Sequence, residues 1–192
     1  MPMSLPKPRI LVLYAHPEAH RSRINRRLAD AARALDGVLV HDLYETYPDF
    51  FIDVAREQAL LEGAELVVFL HPIRWYSMPS LLKEWVDSVL LPGWAYGPGV
   101  ATLHGKGYWL AVTTGSPEMS YQPGERHGHP FEAFLPPFEQ TARLCGMDWW
   151  PPHILHGANG APDDAIAAHV AAFRARLEAC LATPPKENMH GA

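Results

Sequence analysis

Short, continuous apolar runs alternate with longer segments of helical period, and this alternation constrains the fold more than any other feature. The first run, residues 9–15, is aliphatic and β-branched without polar alternation, which is typical of a strand buried on both faces of a parallel sheet. Similar runs predict four further strands, at residues 38–43, 65–70, 107–114 and 149–156. Strands that alternate with helices predict an α/β domain with a parallel sheet.

Apolar residues spaced three and four apart predict helices between these strands. We expect Ser22 to cap the first helix and Gly37 to end it. Further helices are predicted at residues 53–62, from Pro79, from Pro136 and at residues 162–181. Right-handed crossovers then predict the strand order 2-1-3-4-5 with helices on both faces, a three-layer sandwich.

The same pattern predicts how the chain is divided and which strand lies at the edge of the sheet. Residues 1–182 are expected to form a single domain, and residues 183–192 a C-terminal tail. Pro151 and Pro152 interrupt the fifth run, and proline cannot donate to a β-ladder, so we expect this strand at an edge.

Composition excludes several classes of protein. The chain has 192 residues, 48% of them hydrophobic and 19% charged, which indicates a globular domain. Its net charge of −5 argues against binding nucleic acid or an anionic membrane. The two cysteines lack a zinc spacing and the histidines do too, so we expect reduced thiols and no metal site. Without a signal peptide or a membrane-spanning run, a cytoplasmic protein is expected, which would reach the inner membrane only through a partner.

Sheets of this order bind ligands beyond the carboxyl ends of strands one, three and four, so the loops after these strands are candidate sites. The first loop carries His16, Arg21, Ser22, Arg23 and Asn25 into a helix. Free amides at a helix N-terminus, together with a hydroxyl, an amide and basic groups, favour a phosphate. The alternative is that Ser22 only caps the helix.

The second loop brings aromatic rings to the same edge. Trp75 and Tyr76 follow Pro72, which restricts the backbone, and flat rings beside a rigid backbone suit a planar heteroaromatic ligand. The alternative is that Trp75 anchors the core.

The third loop continues far beyond its strand. Two threonines and Gly115 allow the backbone to approach a ligand closely. Tyr121 and His127 follow in a stretch that is expected to be too polar for packing. A tyrosine and a histidine can stabilise an anion or exchange a proton near neutral pH, but each could also be an ordinary surface residue.

Three motifs from these loops occur in order along the chain. They are Ala15-His16-Pro17 with Ser22-x-x-Asn25, His71-Pro72-x-x-Trp75-Tyr76-Ser77, and Thr113-Thr114-Gly115. In this order they resemble the flavodoxin-like NAD(P)H:quinone oxidoreductases, especially the ancillary quinone reductases of glutathione-regulated potassium-efflux systems. The resemblance extends over residues 10–156, most of the chain.

The resemblance implies a flavodoxin-like fold, a flavin, and a homodimer with both active sites at its interface. It also implies two-electron hydride transfer from NAD(P)H through the flavin N5 to a quinone or another small electrophile. FMN is favoured over FAD because the chain lacks the long C-terminal part of the animal members. An alternative function is a regulatory ancillary subunit of a potassium/proton antiporter. An electron-transfer flavodoxin is disfavoured by the long loop at residues 115–130.

The resemblance also implies which residues form the site. The flavin-binding residues would be His16, Ser22, Arg23, Ile24, Asn25, Pro72, Ile73, Arg74, Trp75, Tyr76, Thr113, Thr114, Gly115 and Ser116. Tyr121 and His127 would be catalytic and face the flavin and the substrate. Two positions depart from the family: Ser116 replaces a usual glycine, and Arg74 replaces a usually uncharged residue. A cation at Arg74 would favour the reduced, anionic flavin if it pointed at the ring.

Overall fold

A computed structural model describes residues 8–183 of the chain. Its central layer is a five-stranded sheet with the order β2-β1-β3-β4-β5, in which all neighbouring pairs are parallel. The strands are β1 Ile10–Tyr14, β2 Val38–Asp42, β3 Leu66–Pro72, β4 Gly107–Thr113 and β5 Asp148–Leu155. The predicted fold class and strand order are therefore confirmed. The predicted tail lies outside the described residues except for Thr183, so the division of the chain at residue 182 stays a prediction.

Helices cover both faces of the sheet. They are α1 Asn25–Arg33, α2 Leu43–Thr46, α3 Val54–Gly63, α4 Ser80–Val89, α5 Pro136–Leu144 and α6 Asp163–Ala182. Side chains alternate along the strands, so Leu11 and Leu13 pack in the core under α3, α4 and α5. Ile10 and Val12 pack in the second core, under α1 and α6. Burial on both faces explains why the strands appear in the sequence as continuous apolar runs.

The first helix begins later than the sequence predicts. Helix α1 starts at Asn25, and its N-cap, Ile24, makes no capping hydrogen bond through its side chain. The hydroxyl of Ser22 nevertheless accepts a hydrogen bond of 3.0 Å from the backbone N–H of Arg26. Ser22 therefore satisfies an amide of the first turn from a position outside the helix.

The edge position predicted for the fifth strand is confirmed, although the prolines do not interrupt the strand. Strand β5 continues through Pro151 and Pro152, and its register with β4 shifts between Trp109 and Ala111. Such an irregularity is common at sheet edges, where a missing amide donor leaves no partner unsatisfied.

Candidate functional site

Backbone hydrogen bonds hold the loops at the carboxyl edge of the sheet together. Ile73 N donates to Thr113 O at 2.8 Å, and Thr114 N donates to Leu155 O at 3.0 Å. Ala158 N in turn donates to Thr114 O at 2.8 Å. The loops after β3, β4 and β5 are thus fixed against one another, and side chains on them have defined positions.

A cavity of about 380 Å³ lies between these loops and the start of α1. It brings together most of the residues that the sequence predicts for flavin binding. Those that line it are His16, Ser22, Arg23, Ile24, Asn25, Pro72, Ile73, Arg74, Thr113, Thr114 and Gly115. The remaining predicted residues do not line this cavity, namely Trp75, Tyr76, Ser116, Tyr121 and His127.

Asn25 provides an unpaired polar group in the wall of the cavity. Its side chain is buried, and Nδ2 donates to the hydroxyl of Thr113 at 3.2 Å. Oδ1 has no hydrogen-bond partner among the described residues. Buried polar groups are almost always paired, so this end of the amide favours a ligand that brings a hydroxyl or an N–H group.

His16, which also lines the cavity, has a defined tautomer. The backbone N–H of Glu18 donates to Nδ1 of His16 at 3.1 Å. Burial and the nearby charge of Arg74 lower the pKa of His16. The imidazole is therefore neutral at pH 7 with its proton on Nε2, which is available as a hydrogen-bond donor.

Charged side chains form the rim. Glu18 accepts hydrogen bonds from Arg74 and Arg21, each at 3.0 Å, and these two bonds lower the pKa of its carboxyl. Arg74 therefore pairs with an acid at the rim instead of standing free. Arg23 pairs with Asp163 at the start of α6, at 2.8 Å. Two guanidinium groups share Glu18, which leaves the rim with an excess of positive charge beside the N-terminus of α1.

These features fit a phosphate monoester that carries further hydroxyl or N–H groups. The positive end of α1 and the arginines suit the phosphate, because a helix N-terminus favours anions. The buried amide of Asn25 and the Nε2–H of His16 offer an acceptor and a donor for polar atoms farther along the ligand. FMN has this combination of groups, so the residues that are present fit it.

The loop after β3 contains a strained turn. Arg74 and Ser77 exchange two backbone hydrogen bonds of 2.9 and 3.0 Å, and the two residues between them, Trp75 and Tyr76, have φ values of 47° and 64°. Two central residues with positive φ are the pattern of a type I′ turn, which normally carries Asn-Gly. Trp75 is 92% exposed, so the alternative that it anchors the core is wrong.

We expect the substitution Trp75→Gly to raise the thermal midpoint of the flavin-free protein by about 1–4 °C. Glycine adopts positive φ without strain, and relief of that strain should raise the free energy of unfolding by about 1–2 kcal/mol. The greater flexibility of glycine in the unfolded chain should lower it by about 0.5–1 kcal/mol. The exposed indole contributes little burial. Thermal unfolding monitored by circular dichroism measures the change. Trp75→Ala keeps a Cβ at the same φ and serves as the control; an equal gain from alanine would contradict the strain.

Tyr121 and His127 form an aromatic cluster beside this turn. Tyr121 is 5% exposed and belongs to the core, so the expectation that its loop is too polar for packing is wrong. Its ring stacks on His127 at 4.2 Å and meets Phe131 edge-on at 5.2 Å. Burial raises the pKa of Tyr121, and a hydrogen bond with Thr114 opposes that rise. Tyr121 is thus a neighbour of Thr114, which itself lines the cavity.

Arg21, which the sequence places among the basic groups of the first loop, also lines the cavity. Sequence reasoning missed the rest of the wall, which is formed by Glu18, Ala158 and Asn159. Glu18 belongs to the loop already selected, where an acid among basic residues is a usable signal. Ala158 and Asn159 follow β5, and the turn-forming residues after that strand were the available signal.

Comparison with known proteins agrees with this architecture. The family described as having a flavodoxin-like fold matches residues 8–177. The glutathione-regulated potassium-efflux system ancillary protein KefG of Yersinia enterocolitica is 47% identical over 182 residues, which cover 94% of this chain and 98% of that protein.

Several solved structures are similar over most of the chain. General stress protein 14 from Treponema denticola, in complex with FMN, is 37% identical with a TM-score of 0.84, covering 90% of this chain and 99% of the other. A chain described as a thermophilic tryptophan halogenase from Streptomycin violaceusniger is 40% identical with a TM-score of 0.83, covering 87% and 97%. An NADPH-quinone reductase from P. pentosaceus is 28% identical with a TM-score of 0.79, covering 88% and 96%. The family match and these identities agree with the strand order and the cavity, and the chain belongs to the flavodoxin-like fold family.

Proposed function

We propose that this protein is a flavin-dependent NAD(P)H:quinone oxidoreductase that binds FMN. The observation that carries the proposal is the cavity, in which a positive helix N-terminus and a buried unpaired amide meet the loops after β3 and β4. FMN in the structure from Treponema denticola and the quinone reductase from P. pentosaceus support it. One similar structure is described as a halogenase. Because a single fold supports many activities, the activity of this chain has to be inferred from the residues of its site.

FMN is held at two ends in this proposal. The N-terminus of α1, with Ser22, Arg23, Ile24 and Asn25, binds the phosphate and the adjacent hydroxyls. Pro72, Ile73 and Arg74, and on the next loop Thr113, Thr114 and Gly115, line the cavity and would hold the flavin ring. Ser116, Trp75 and Tyr76 adjoin these segments without lining the cavity. When bound, FMN supplies the chemistry of accepting a hydride from NAD(P)H and passing it to the quinone.

The chain's own contribution to the reaction is position, charge and a proton. Donors fixed in advance against developing negative charge lower a barrier more than water does. Tyr121 would provide a hydroxyl for that charge, and His127 would exchange a proton with the reacting groups. Both side chains are held by aromatic contacts, so neither has to be ordered during the reaction.

We expect the substitution Asn25→Leu to raise the dissociation constant of FMN by about 10-fold or more. The change keeps the buried volume but removes the polar end of the cavity wall, and loss of a buried hydrogen bond to a ligand costs about 1–3 kcal/mol. Titration of flavin-free protein with FMN, followed by quenching of flavin fluorescence, measures the effect. Asp30→Asn, an exposed change on the same helix, is the matched control.

Purified wild-type protein should be yellow or take up FMN. Wild-type protein that stays colourless and binds neither FMN nor FAD would overturn the proposed function. Asn25→Leu protein that unfolds like wild type and binds FMN with unchanged affinity would overturn the assignment of this wall of the cavity.

A second candidate is a regulatory subunit of a potassium-efflux antiporter, and the 47% identity to KefG favours it. No helix between residues 8 and 183 is both long and apolar enough to span a bilayer. In this second proposal the contact with the transporter is peripheral. Co-purification with a glutathione-regulated potassium-efflux antiporter tests this role. If a variant that cannot reduce quinones still stimulates potassium efflux, regulation depends on binding and not on turnover. If the protein forms no complex with the antiporter, the regulatory role is excluded.

The homodimer is likewise a proposal. Analytical ultracentrifugation of the purified protein measures its oligomeric state.

A further inference from the structure

The hydroxyl of Tyr76 contacts one nitrogen of His127. The oxygen lies 3.3 Å from Nδ1 of His127, and the two rings meet edge-on at 5.6 Å and 80°. Tyr76 is itself held by stacking on Phe134 at 4.9 Å. The contact therefore joins the loop after β3, which borders the cavity, to the loop that carries the proposed catalytic pair.

The ring of His127 is fixed from several directions. One face of its ring stacks on the ring of Tyr121, with the ring centroids 4.2 Å apart and the planes at 16°. Its backbone N–H donates a hydrogen bond of 3.0 Å to the carbonyl oxygen of Ser120. The other ring nitrogen, Nε2, is shielded from solvent and has no partner among the described residues. His127 thus has one ring nitrogen in contact with Tyr76 and one, Nε2, without a hydrogen-bond partner among the described residues.

We propose that Tyr76 is a positioning residue that holds His127 in the Nε2-protonated tautomer. In the neutral imidazole the phenol O–H donates to Nδ1, which leaves the ring proton on Nε2. In the imidazolium, Nδ1–H donates to the phenol oxygen instead, so the ring keeps its orientation in both protonation states. The role in turnover rests on the proposed function, whereas the hydrogen bond itself does not require flavin.

The strained turn supports this assignment independently of the hydrogen bond. A tyrosine at φ 64° is unfavourable where glycine or asparagine would fit, and such strain persists where the surroundings impose it, commonly at functional sites. Tyr76 is also 43% exposed, so burial alone does not explain it. The turn aims the phenol at His127, a result that glycine could not give.

The substitution Tyr76→Phe tests the proposal because it keeps the ring and its stacking on Phe134 but removes the hydroxyl. Long-range proton–nitrogen NMR of flavin-free protein at about pH 8.5, where an ordinary imidazole is neutral, reports the tautomer of His127. We expect the wild type to show protonated Nε2 and the variant to show a mixture. We also expect kcat for quinone reduction to fall about fivefold, the effect of one neutral hydrogen bond, with KM for NAD(P)H unchanged.

Two comparisons separate positioning from a general loss of structure. Tyr108→Phe removes a buried hydroxyl that has no partner among residues 8–183, and it should change neither the tautomer nor kcat. In a His127→Gln background, Tyr76→Phe should have no further effect on kcat, because the two residues act as one unit.

The proposal is overturned if Tyr76→Phe leaves the tautomer of His127 as in the wild type. It is also overturned if the tautomer changes while kcat stays within twofold, since positioning would then not serve the reaction. Wild-type protein that binds no FMN would instead overturn the proposed function, and the NMR result, obtained without flavin, would still decide the hydrogen bond.

Discussion

Replacement of His127 by glutamine is expected to lower kcat for quinone reduction about 100-fold, the usual effect of removing a general acid or base. Glutamine keeps a polar group of similar size but cannot exchange a proton near pH 7. In the structure Nδ1 of the histidine lies against Tyr76, and Nε2 has no hydrogen-bond partner among the described residues. Steady-state oxidation of NADPH with benzoquinone at saturating FMN measures the loss.

Tyr121→Phe should lower kcat in the same assay, since it removes the hydroxyl that the proposal assigns to developing negative charge. His129→Gln is the matched control for His127, because His129 is exposed and lies in the same loop. It should leave kcat within about twofold of the wild type. If His127→Gln and Tyr121→Phe each stay within that range, the catalytic roles of both residues are wrong.

Most of the fold and much of the site could be predicted because both follow from the parallel sheet. Strands buried on both faces must be apolar throughout, so β1 and β3 are visible as uninterrupted runs. Parallel strands end at one edge, so loops that are far apart in sequence meet there. His16, Asn25 and Thr113 line one cavity for that reason, although 88 residues separate the last two.

The details that could not be predicted depend on tertiary partners. A tryptophan is normally at least partly buried. Trp75 is exposed because it lies at the tip of the hydrogen-bonded turn between Arg74 and Ser77. Tyr121 lies in a polar stretch, yet nearby aromatic rings bury it. Asn159 reaches the cavity because β5 is the neighbour of β4, which brings a fourth loop to the edge.

A buried carboxylate on the opposite side of the molecule from α1 stabilises the fold. Glu57 on α3 is fully buried, and its Oε1 lies 2.9 Å from His41 Nε2 and 2.5 Å from the hydroxyl of Tyr47. Its Oε2 accepts a hydrogen bond of 2.8 Å from the indole of Trp85. The carboxylate thus connects β2, α3, α4 and the segment after α2.

Glu57→Leu is expected to lower the free energy of unfolding by about 3–5 kcal/mol. Leucine fills a similar volume but leaves the hydroxyl of Tyr47, the indole N–H of Trp85 and the imidazole of His41 buried without their partner. Unfolding of flavin-free protein in urea measures the change. Glu62→Gln, an exposed change on the same helix, is the matched control and should shift the free energy by less than about 0.5 kcal/mol.

The dependence of this effect on pH identifies the carboxylate as its source. Burial alone would raise the pKa of Glu57, but hydrogen bonding and the charge of His41, with the bonds from Tyr47 and Trp85, hold it below the ordinary value of 4.5. A group whose pKa is lower in the folded state stabilises it above the unfolded pKa, and this stabilisation is lost as the pH falls through the folded pKa. The difference between wild type and Glu57→Leu should therefore shrink as the pH falls below about 4.5. A difference that stays constant into acid would mean that lost packing, not the ionised carboxylate, destabilises the variant.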